Sequence, residues 1–356
     1  MGGSFIAGRV SAASVASGLK EITIAGGGLA GLSLGIALRQ RGVPVALSEA
    51  GCYPRHRVCG EFINGVTMET LQELGIGELF HDARRHRSSQ WFVRERKIYD
   101  AKLPQAALGI SRHTLDQRLA AEFERLGGEL RTGSRMAREG REGLVWAAGR
   151  RAERGSDWLG LKVHLMDLAM EGDLELHIGE AGYLGLAPVE GVRVNACGLF
   201  RKRSELKGKG AELLWQYLEK NLLERLAARL REAGRDESSF TGVSAFRFGR
   251  QDLDEGPCVL GDAERMIPPF TGNGMSMAFE AAEAALEPMV AYAAGQTRWS
   301  EVVVALRERL RMKFRKRMVA ARLLHPFLLS VPGHTLLALT ARTGLLPFNA
   351  LFRLLR

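Results

Sequence analysis

The segment from Glu21 to Ala50, EITIAGGGLAGLSLGIALRQRGVPVALSEA, constrains the fold more than any other part of the chain. A short apolar run, Ile22 to Ala25, leads into a glycine-rich turn and then into apolar residues at helical spacing. A second apolar run, Val43 to Leu47, completes a strand, helix, strand pattern. This order predicts two parallel strands joined by a crossover helix, the unit of doubly wound α/β folds.

The turn carries three glycines in G-x-G-x-x-G spacing. Gly26 permits a tight turn, Gly28 lets the backbone approach a pyrophosphate, and Gly31 lets the helix lie close to its strand. Leu29 and Ala30 stand between them, where the free N–H groups of a helix N-terminus favour an anion. The motif therefore predicts a bound dinucleotide, either NAD or FAD.

An acidic residue, Glu49, ends the second strand and is followed by Ala50. A carboxylate at this place can accept hydrogen bonds from both ribose hydroxyls, and it disfavours a 2'-phosphate. Strand, glycines, helix, second strand and acid all occur in order. The pattern therefore favours a dinucleotide site over an ordinary glycine turn.

A second informative segment, GPCVLGDAERMIPPFTGNGMSMAFEAAEAAL, runs from Gly256 to Leu286. Asp262 follows an apolar strand, where a carboxylate can hydrogen-bond a ribityl hydroxyl. A helix N-terminus built with glycines can approach a flat ring and stabilise negative charge on it. These features favour FAD over NAD, and the predicted contacts at the helix start are Gly272, Asn273, Gly274 and Met275.

The combination resembles the FAD-dependent monooxygenases of the para-hydroxybenzoate hydroxylase fold, in the branch shared with flavin-dependent halogenases and geranylgeranyl reductases. The segment YPRHRVCGEF is similar to their loop beside the flavin, and GISRHTLDQRLAAEFERLGGEL to their arginine-bearing helix. The resemblance implies that Arg57, Cys59 and Gly60 lie near the isoalloxazine ring. It also implies that Arg112 lies near the FAD pyrophosphate, the alternative being a solvated helix cap.

The resemblance implies an α/β fold in which a doubly wound FAD-binding sheet is interleaved with an antiparallel substrate-domain sheet and followed by C-terminal helices. The predicted parts are a disordered leader at 1–20, an FAD-binding domain at 21–62, 105–157 and 250–300, a substrate domain at 63–104 and 158–249, and a basic helical tail at 301–356.

The predicted substrate sheet contains candidate polar groups but no assigned catalytic residue. Alternation puts Lys162 and His164 on one face of a strand, and either face could meet the flavin. His164 and His177 are candidate acid–base groups because imidazole titrates near neutrality, with simple solvation as the alternative. Tyr183 could bind a phenol or a carbonyl, or simply pack. One long amphipathic helix is predicted from Ala211 to Ala233.

The source of electrons is left open by a departure from the family pattern. Where the resembled enzymes have a strand followed by G-A-D-G, this chain reads LVWAAGRR from Leu144 to Arg151, without the acid. A second G-x-G-x-x-G unit on a strand is also absent from the sequence. The electron donor is therefore either NAD(P)H, bound transiently through altered contacts, or a separate reductase.

The charge distribution and the cysteine content limit the binding partners and the cellular location that we expect. Residues 302–356 hold eleven Lys or Arg against Glu308 alone, which accounts for the net charge of +10. The four cysteines form no C-x-x-C pair, which argues against a metal or a disulfide framework and favours a reducing, cytoplasmic location.

Prolines interrupt the apolar part of the tail, so we expect it either to lie on a membrane surface, with Lys313 to Arg317 near anionic headgroups, or to pack back over the substrate domain. Nucleic-acid binding is not expected, because the tail lacks interleaved aromatics.

The leading prediction is an FAD-dependent monooxygenase that hydroxylates a hydrophobic aromatic or lipid-like small molecule. The resemblance implies a flavin C4a-hydroperoxide as the oxidant. The alternative is reduction of polyprenyl double bonds, as in geranylgeranyl reductase. A further alternative is a non-catalytic, flavin-carrying protein at the membrane. Halogenation is disfavoured because the W-x-W-x-I-P pattern is absent from the sequence.

Overall fold

The computed structural model describes residues 18–251 and 256–354, so the leader predicted at 1–20 lies almost wholly outside the described residues. The strands are β1 (Ile22–Ala25), β2 (Val45–Ser48), β3 (Phe62–Ile63), β4 (Arg84–Val93), β5 (Arg96–Gly109), β6 (Glu129–Arg131), β7 (Leu144–Trp146), β8 (Trp158–Met166), β9 (Leu174–Ile178), β10 (Gly182–Pro188), β11 (Arg193–Arg201), β12 (Gly234–Ser244), β13 (Gly249–Arg250), β14 (Cys258–Val259) and β15 (Arg265–Met266). The helices are α1 (Leu29–Gln40), α2 (Met68–Glu73), α3 (Arg112–Arg125), α4 (Ala211–Glu219), α5 (Glu224–Glu232), α6 (Gly274–Ala293), α7 (Trp299–Leu328), α8 (Val331–Arg342) and α9 (Phe348–Leu354).

A five-stranded parallel sheet forms the first layer, in the order β14-β7-β1-β2-β6. The predicted strand, helix, strand unit is present as β1, α1 and β2, with Ile22 opposite Val45. Strand β1 lies in the middle of the sheet and its apolar side chains are buried against helices. The carboxyl ends of β1, β2, β7 and β14 consequently meet at one edge, which is where ligands bind in sheets of this kind.

An eight-stranded sheet forms the second layer, in the order β12-β8-β11-β10-β9-β4-β5-β3. It is antiparallel except for β4 and β9, which pair in parallel among the described strands. Leu161, Val163 and Leu165 of β8 pack on α4 and α5, so the opposite face carries Gly160, Lys162 and His164. The two sheets together confirm the predicted α/β class.

The single helix predicted from Ala211 to Ala233 is wrong, because the structure divides it into α4 and α5. Asn221 stands at the break, where its side-chain amide donates to the carbonyl of Tyr217 at 2.7 Å and its Oδ1 accepts from the N–H of Ala181 at 2.8 Å. Leu222 follows with a φ of 60°. Hydrogen bonds to a neighbouring loop therefore replace the helical pattern that the apolar spacing predicted.

The C-terminal helices pack against one another and against both sheets. Helix α6 packs against α1 on one side and α7 on the other. Three ion pairs tie α6 to α7: Arg317 with Glu280 at 3.0 Å, Lys313 with Glu283 at 2.9 Å and Arg309 with Glu287 at 2.8 Å. Among the described helices, none is by itself long and apolar enough to cross a membrane; α7 and α8 meet those limits only as a pair, bent by 102°.

Candidate functional site

A cleft of about 590 Å³ opens at the carboxyl edge of the parallel sheet. Its walls are the glycine turn, the end of β2, the loops after β6 and β7, and the start of α6. Most of the residues selected from sequence line it: Gly26, Gly28, Leu29, Ala30, Glu49, Ala50, Arg57, Cys59, Gly60, Arg112, Asp262, Gly272, Gly274 and Met275. Gly31 and Asn273 stand behind this wall, and Asn273 is fully buried as the N-cap of α6.

The glycines of the cleft fall into two physical groups. A Cβ at Gly26, which has a φ of 112°, would overlap the backbone of Ala147 after β7, and a Cβ at Gly31 would overlap the carbonyl oxygen of Gly26. A Cβ at Gly28 or Gly274 would meet no protein atom within 4 Å. Gly26 therefore lets the turn pack against the loop after β7, and Gly31 lets α1 approach the turn. Gly28 and Gly274 face open space that a phosphate group or a flat ring can occupy.

Glu49 is held in place by three donors at the end of β2. Its carboxylate accepts hydrogen bonds from the N–H groups of Gly27 at 2.8 Å and Gly51 at 2.9 Å, and it pairs with Arg55 at 2.6 Å. Burial raises the pKa of this carboxyl, but the Gly51 hydrogen bond and the Arg55 guanidinium outweigh burial and lower it below its ordinary value. The group is therefore ionised and able to accept hydrogen bonds.

Arg112 is not the cap of its helix, because Ser111 is the N-cap of α3 and accepts from the N–H of Thr114. The Arg112 guanidinium makes two hydrogen bonds to the buried carboxylate of Asp116, at 2.7 and 2.9 Å. Arg57 reaches the same carboxylate at 3.1 Å. Asp116 thus holds two guanidinium groups against the wall of the cleft while neutralising only one of their charges.

The cleft is strongly cationic. Two carboxylates, Glu49 and Asp262, face seven arginines along its walls: Arg55, Arg57, Arg112, Arg135, Arg138, Arg150 and Arg151. An excess of guanidinium groups suits a diphosphate. The strand predicted from Leu144 is present as β7. The loop after β7, where the resembled enzymes carry an acid, contributes Arg150 to the wall of the cleft. Arg150 donates hydrogen bonds to the carbonyls of Ser244 and Ala245.

The loop before β3 is fixed by Glu61, which is not among the site residues predicted from sequence. Its carboxylate is fully buried, and the residue has a φ of 55°. It accepts from Nε2 of His164 at 2.6 Å, from the N–H of Arg112 at 3.0 Å, and pairs with Lys162 at 3.2 Å. Burial alone would raise the pKa of Glu61, but the His164 hydrogen bond and the Lys162 charge lower it below its ordinary value.

This network settles which face of the second sheet meets the loop. Lys162 and His164 point toward Glu61, and Lys162 also donates to Nδ1 of His56 at 3.2 Å. Neither Lys162 nor His164 lines the cleft. A signal was available in the sequence, because Lys162 and His164 alternate on one strand and a buried charge requires a partner.

A second cavity, of about 370 Å³, adjoins the cleft and is mainly apolar. It lies between the eight-stranded sheet and helices α7, α8 and α9. Six residues line both spaces: Val58, Cys59, Gly60, Phe62, Met266 and Pro269. A ligand in this cavity would therefore contact the same loop as a ring bound at the inner end of the cleft.

The tail packs back over the second sheet, as one of the two expectations proposed. The tail residues that line the cavity are Leu324, Phe327, Leu328, Leu336, Leu337, Thr340, Leu346, Pro347, Phe348 and Leu351. The basic cluster predicted from Lys313 to Arg317 does not face one way, because Lys313 and Arg317 pair with α6. Arg315 and Lys316 remain exposed.

Polar groups in the cavity are few. Tyr183 lines it, is nine-tenths buried, and its hydroxyl has no hydrogen-bond partner in the part of the chain that the structure describes. Burial raises its pKa well above the ordinary value, so the hydroxyl keeps its proton and can donate. Burial also raises the pKa of the Cys59 and Cys197 thiols, which leaves both as neutral lining groups.

His177, the second candidate acid–base group, lies outside both spaces. It donates to Glu175 at 2.8 Å and stacks on Phe92 with ring centroids 4.4 Å apart. Glu175 is in turn held by Arg229 of α5 at 2.8 Å. The structure therefore places His177 in a buried network whose Glu175 lines the apolar cavity, while His177 itself lines neither space.

Comparison with known proteins agrees with this geometry. Residues 20–157 match a family model described as an FAD binding domain. The curated proteins include no match to the sequence. PqsL of P. aeruginosa, solved in complex with 2-aminobenzoylacetate, has a TM-score of 0.72 and 15% identity, over 89% of this chain and 99% of that chain.

Two further solved structures are similar. The flavin-dependent brominase Bmp2 has a TM-score of 0.73 and 18% identity, over 94% of this chain and 93% of that chain. The tetrameric form of 2-methyl-3-hydroxypyridine-5-carboxylic acid oxygenase has a TM-score of 0.64 and 18% identity, over 91% of this chain and 96% of that chain. The chain is therefore a flavoprotein with FAD as its cofactor, and it has the para-hydroxybenzoate hydroxylase fold shared by FAD-dependent monooxygenases and flavin-dependent halogenases.

Proposed function

We propose that this flavoprotein is a monooxygenase that hydroxylates a hydrophobic aromatic or lipid-like molecule bound in the apolar cavity. The observation that carries the proposal is the shared wall between the cationic cleft and the cavity. A flavin ring at the inner end of the cleft would lie against that wall. A ligand in the cavity would then be held beside the ring and away from water.

The cleft residues have distinct roles in this proposal. Gly28 and the start of α1 would take the diphosphate, with Arg57 and Arg112 supplying positive charge. Glu49 would accept from the ribose hydroxyls, and Asp262 from the ribityl chain. The N-terminus of α6 at Gly274 would stabilise negative charge on the reduced ring.

The lining of the cavity supports an apolar ligand with one polar end. Its walls are mostly Leu, Phe, Ala and Gly, and the Tyr183 hydroxyl is placed to donate to a phenol or carbonyl oxygen. A buried hydroxyl without a partner is costly, so a ligand oxygen that fills this place gains affinity. Hydroxylation places one oxygen atom of O₂ in the product and the other in water, with two electrons from an external donor.

The electron donor is either NAD(P)H or a separate reductase. Arg150 and Arg151 stand near the position of the missing acid and make the cleft wall more cationic. This charge suits the phosphates of a transiently bound nicotinamide dinucleotide. Rapid and saturable bleaching of the flavin band on mixing with NADPH without air would support the direct route and exclude an obligatory reductase.

The proposed reaction is tested with the FAD-loaded protein, chemically reduced without air and then mixed with ¹⁸O₂ and para-nonylphenol. We expect a product that carries one labelled oxygen atom and a flavin that returns to its oxidised form. Turnover without oxygen on a polyprenyl substrate would instead support the reductase alternative. Flavin reoxidation without any product, across phenolic and polyprenyl probes, would support the non-catalytic carrier.

A further inference from the structure

Exposed apolar side chains are concentrated on the C-terminal helices. Of the twelve large apolar residues that are exposed in the described part of the chain, nine lie between Val304 and Leu354. They are Val304, Met312, Val319, Leu323, Val331, Leu336, Leu339, Leu345 and Leu354. Isolated exposed leucines are ordinary on a protein surface, but such a concentration on neighbouring helices marks a contact surface.

Helix α7 has two clearly separated faces. Leu306, Leu310 and Phe314 lie on its buried face, against α6 and the sheet. Met312, Val319 and Leu323 are spaced by seven and four residues, which places them together on the opposite face. Leu323 is 69% exposed. The outward face of α7 therefore carries exposed apolar side chains along its second half.

Cations lie among these apolar residues. Arg315 and Arg322 share the face of Val319, and Lys316 lies two turns before Leu323. All three cations are exposed and make no ion pair within the residues that the structure describes. We name Met312, Arg315, Lys316, Val319, Arg322 and Leu323, together with Leu336 and Leu339 of α8, the outer patch.

The outer patch adjoins the lining of the apolar cavity. Leu336 is 50% exposed and also lines the cavity, while Leu324, next to Leu323, lines it from α7. Pro347, before α9, is exposed and lines the same space. A ligand passing between these residues would contact apolar side chains on its way from the surface into the cavity.

We propose that the outer patch docks on an anionic lipid surface and that the cavity receives its ligand from that surface. The unpaired cations match anionic headgroups, and the apolar side chains between them match the acyl boundary beneath. A second copy of the chain would bring the same unpaired cations together, so charge favours the lipid. The route of the ligand rests on the proposed function; the docking itself does not.

The test measures flotation of the FAD-loaded full chain with lipid vesicles. We expect binding to phosphatidylcholine vesicles that contain phosphatidylglycerol, little binding to phosphatidylcholine alone, and a loss of binding as salt is raised. The combined substitution Arg315→Gln, Lys316→Gln and Arg322→Gln should weaken partitioning about 100-fold, since each of the three basic residues near the surface contributes about a factor of five to partitioning. Leu323→Ser with Leu339→Ser should weaken it on both kinds of vesicle.

The matched control is Lys207→Gln with Lys209→Gln, which removes exposed cations before α4, on the other side of the second sheet. This control should bind vesicles as the unaltered chain does. Equal binding by the outer-patch variant and the control would overturn the proposal. So would a dimer in solution that Leu323→Ser separates and that binds no vesicles, because a second copy would then cover the patch.

Two readouts separate this inference from the proposed function. Flavin binding and hydroxylation of a detergent-dispersed phenol are measured on the same outer-patch variants. Normal hydroxylation in detergent with lost vesicle binding supports docking. Vesicle binding with no hydroxylation in any medium leaves docking standing and removes the proposed function.

Discussion

Oε1 of Glu61 lies 3.2 Å from Nζ of Lys162, and neither side chain is exposed to solvent. The pair joins the loop between cleft and cavity to the second sheet, across 101 positions of the chain. A buried charge that loses its partner is costly, whereas removing both charges together costs little. Single and double substitutions of Glu61 and Lys162 therefore test whether the pair holds the loop in place.

Glu61→Gln should lower the free energy of unfolding by about 3–5 kcal/mol, because the Lys162 ammonium would remain buried without a full counter-charge. Adding Lys162→Met should recover most of that loss. Chemical denaturation measures both. Glu237→Gln, in an exposed ion pair with Arg235, should change stability by less than about 1 kcal/mol. Similar losses at Glu61 and Glu237 would contradict the anchoring role.

Gly28→Leu should weaken FAD binding by at least about 100-fold while lowering stability by only about 1 kcal/mol. A Cβ at Gly28 meets no protein atom, so the added side chain occupies the open cleft and not the core. Titration followed by flavin fluorescence measures the affinity. Retained affinity in a folded Gly28→Leu protein would mean that the diphosphate lies elsewhere.

Gly185→Leu should fill the apolar cavity and leave the cleft open, the opposite of Gly28→Leu. Gly185 lines the cavity, and the nearest backbone oxygens would lie 3.8 and 4.0 Å from an added Cβ, so the side chain fits without overlap. We expect normal FAD affinity and a loss of para-nonylphenol binding, measured by calorimetry. If Gly185→Leu binds the phenol as well as the unaltered chain, the ligand does not occupy this cavity.

Tyr183→Phe should leave FAD binding unchanged and should not lower stability, because the buried hydroxyl has no partner among the described residues and its removal relieves an unpaired polar group. Affinity for para-nonylphenol should fall about tenfold, the effect of one hydrogen bond of roughly 1–1.5 kcal/mol. Nonylbenzene, which lacks the oxygen, serves as the control ligand and should bind both proteins equally. Equal losses for both ligands would assign Tyr183 a packing role only.

His325 gives the fold a predictable acid sensitivity. It is buried between Trp158 and Phe270, and burial lowers its pKa to about 4 from an ordinary value of 6.5. The folded protein therefore resists its protonation. The contribution of His325 to stability is complete above pH 6.5 and is lost as pH drops from 6.5 to 4, by on the order of 3 kcal/mol.

His325→Phe keeps a ring in this place and removes the titrating group. The variant should lose less stability between pH 7 and pH 5 than the unaltered chain, as measured by thermal unfolding at each pH. His81→Phe, at an exposed site, is the matched control and should leave the pH profile unchanged. Parallel profiles for the His325 variant and the unaltered chain would show that another group causes the acid sensitivity.

The cleft residues could be predicted from sequence because each motif that forms the cleft lies within a short stretch of the chain. Gly26, Gly31 and Glu49 act within one strand, helix, strand unit, and their spacing alone carries the geometry. The turn before α6 is similarly local, since Gly272, Asn273 and Gly274 are consecutive.

The apolar cavity and the Glu61 network could not be predicted in the same way, because residues that are far apart in the sequence form them. Glu61 meets Lys162 only after β8 has taken its place in the second sheet, and that sheet's orientation depends on Leu161 and Val163 packing on α4 and α5. The break at Asn221 depends on the amide of Ala181. The basic residues and prolines of the tail left open whether it packs over the second sheet or lies on a membrane surface.

The most direct test of the central claim is the visible absorption spectrum of the FAD-loaded protein during titration with para-nonylphenol. A ligand in the cavity beside the flavin should shift the flavin bands in a saturable way, with the same midpoint as calorimetric binding, and Gly185→Leu should abolish the shift. Binding that saturates in calorimetry while the flavin spectrum stays unchanged would contradict the claim that cavity and cofactor share a wall.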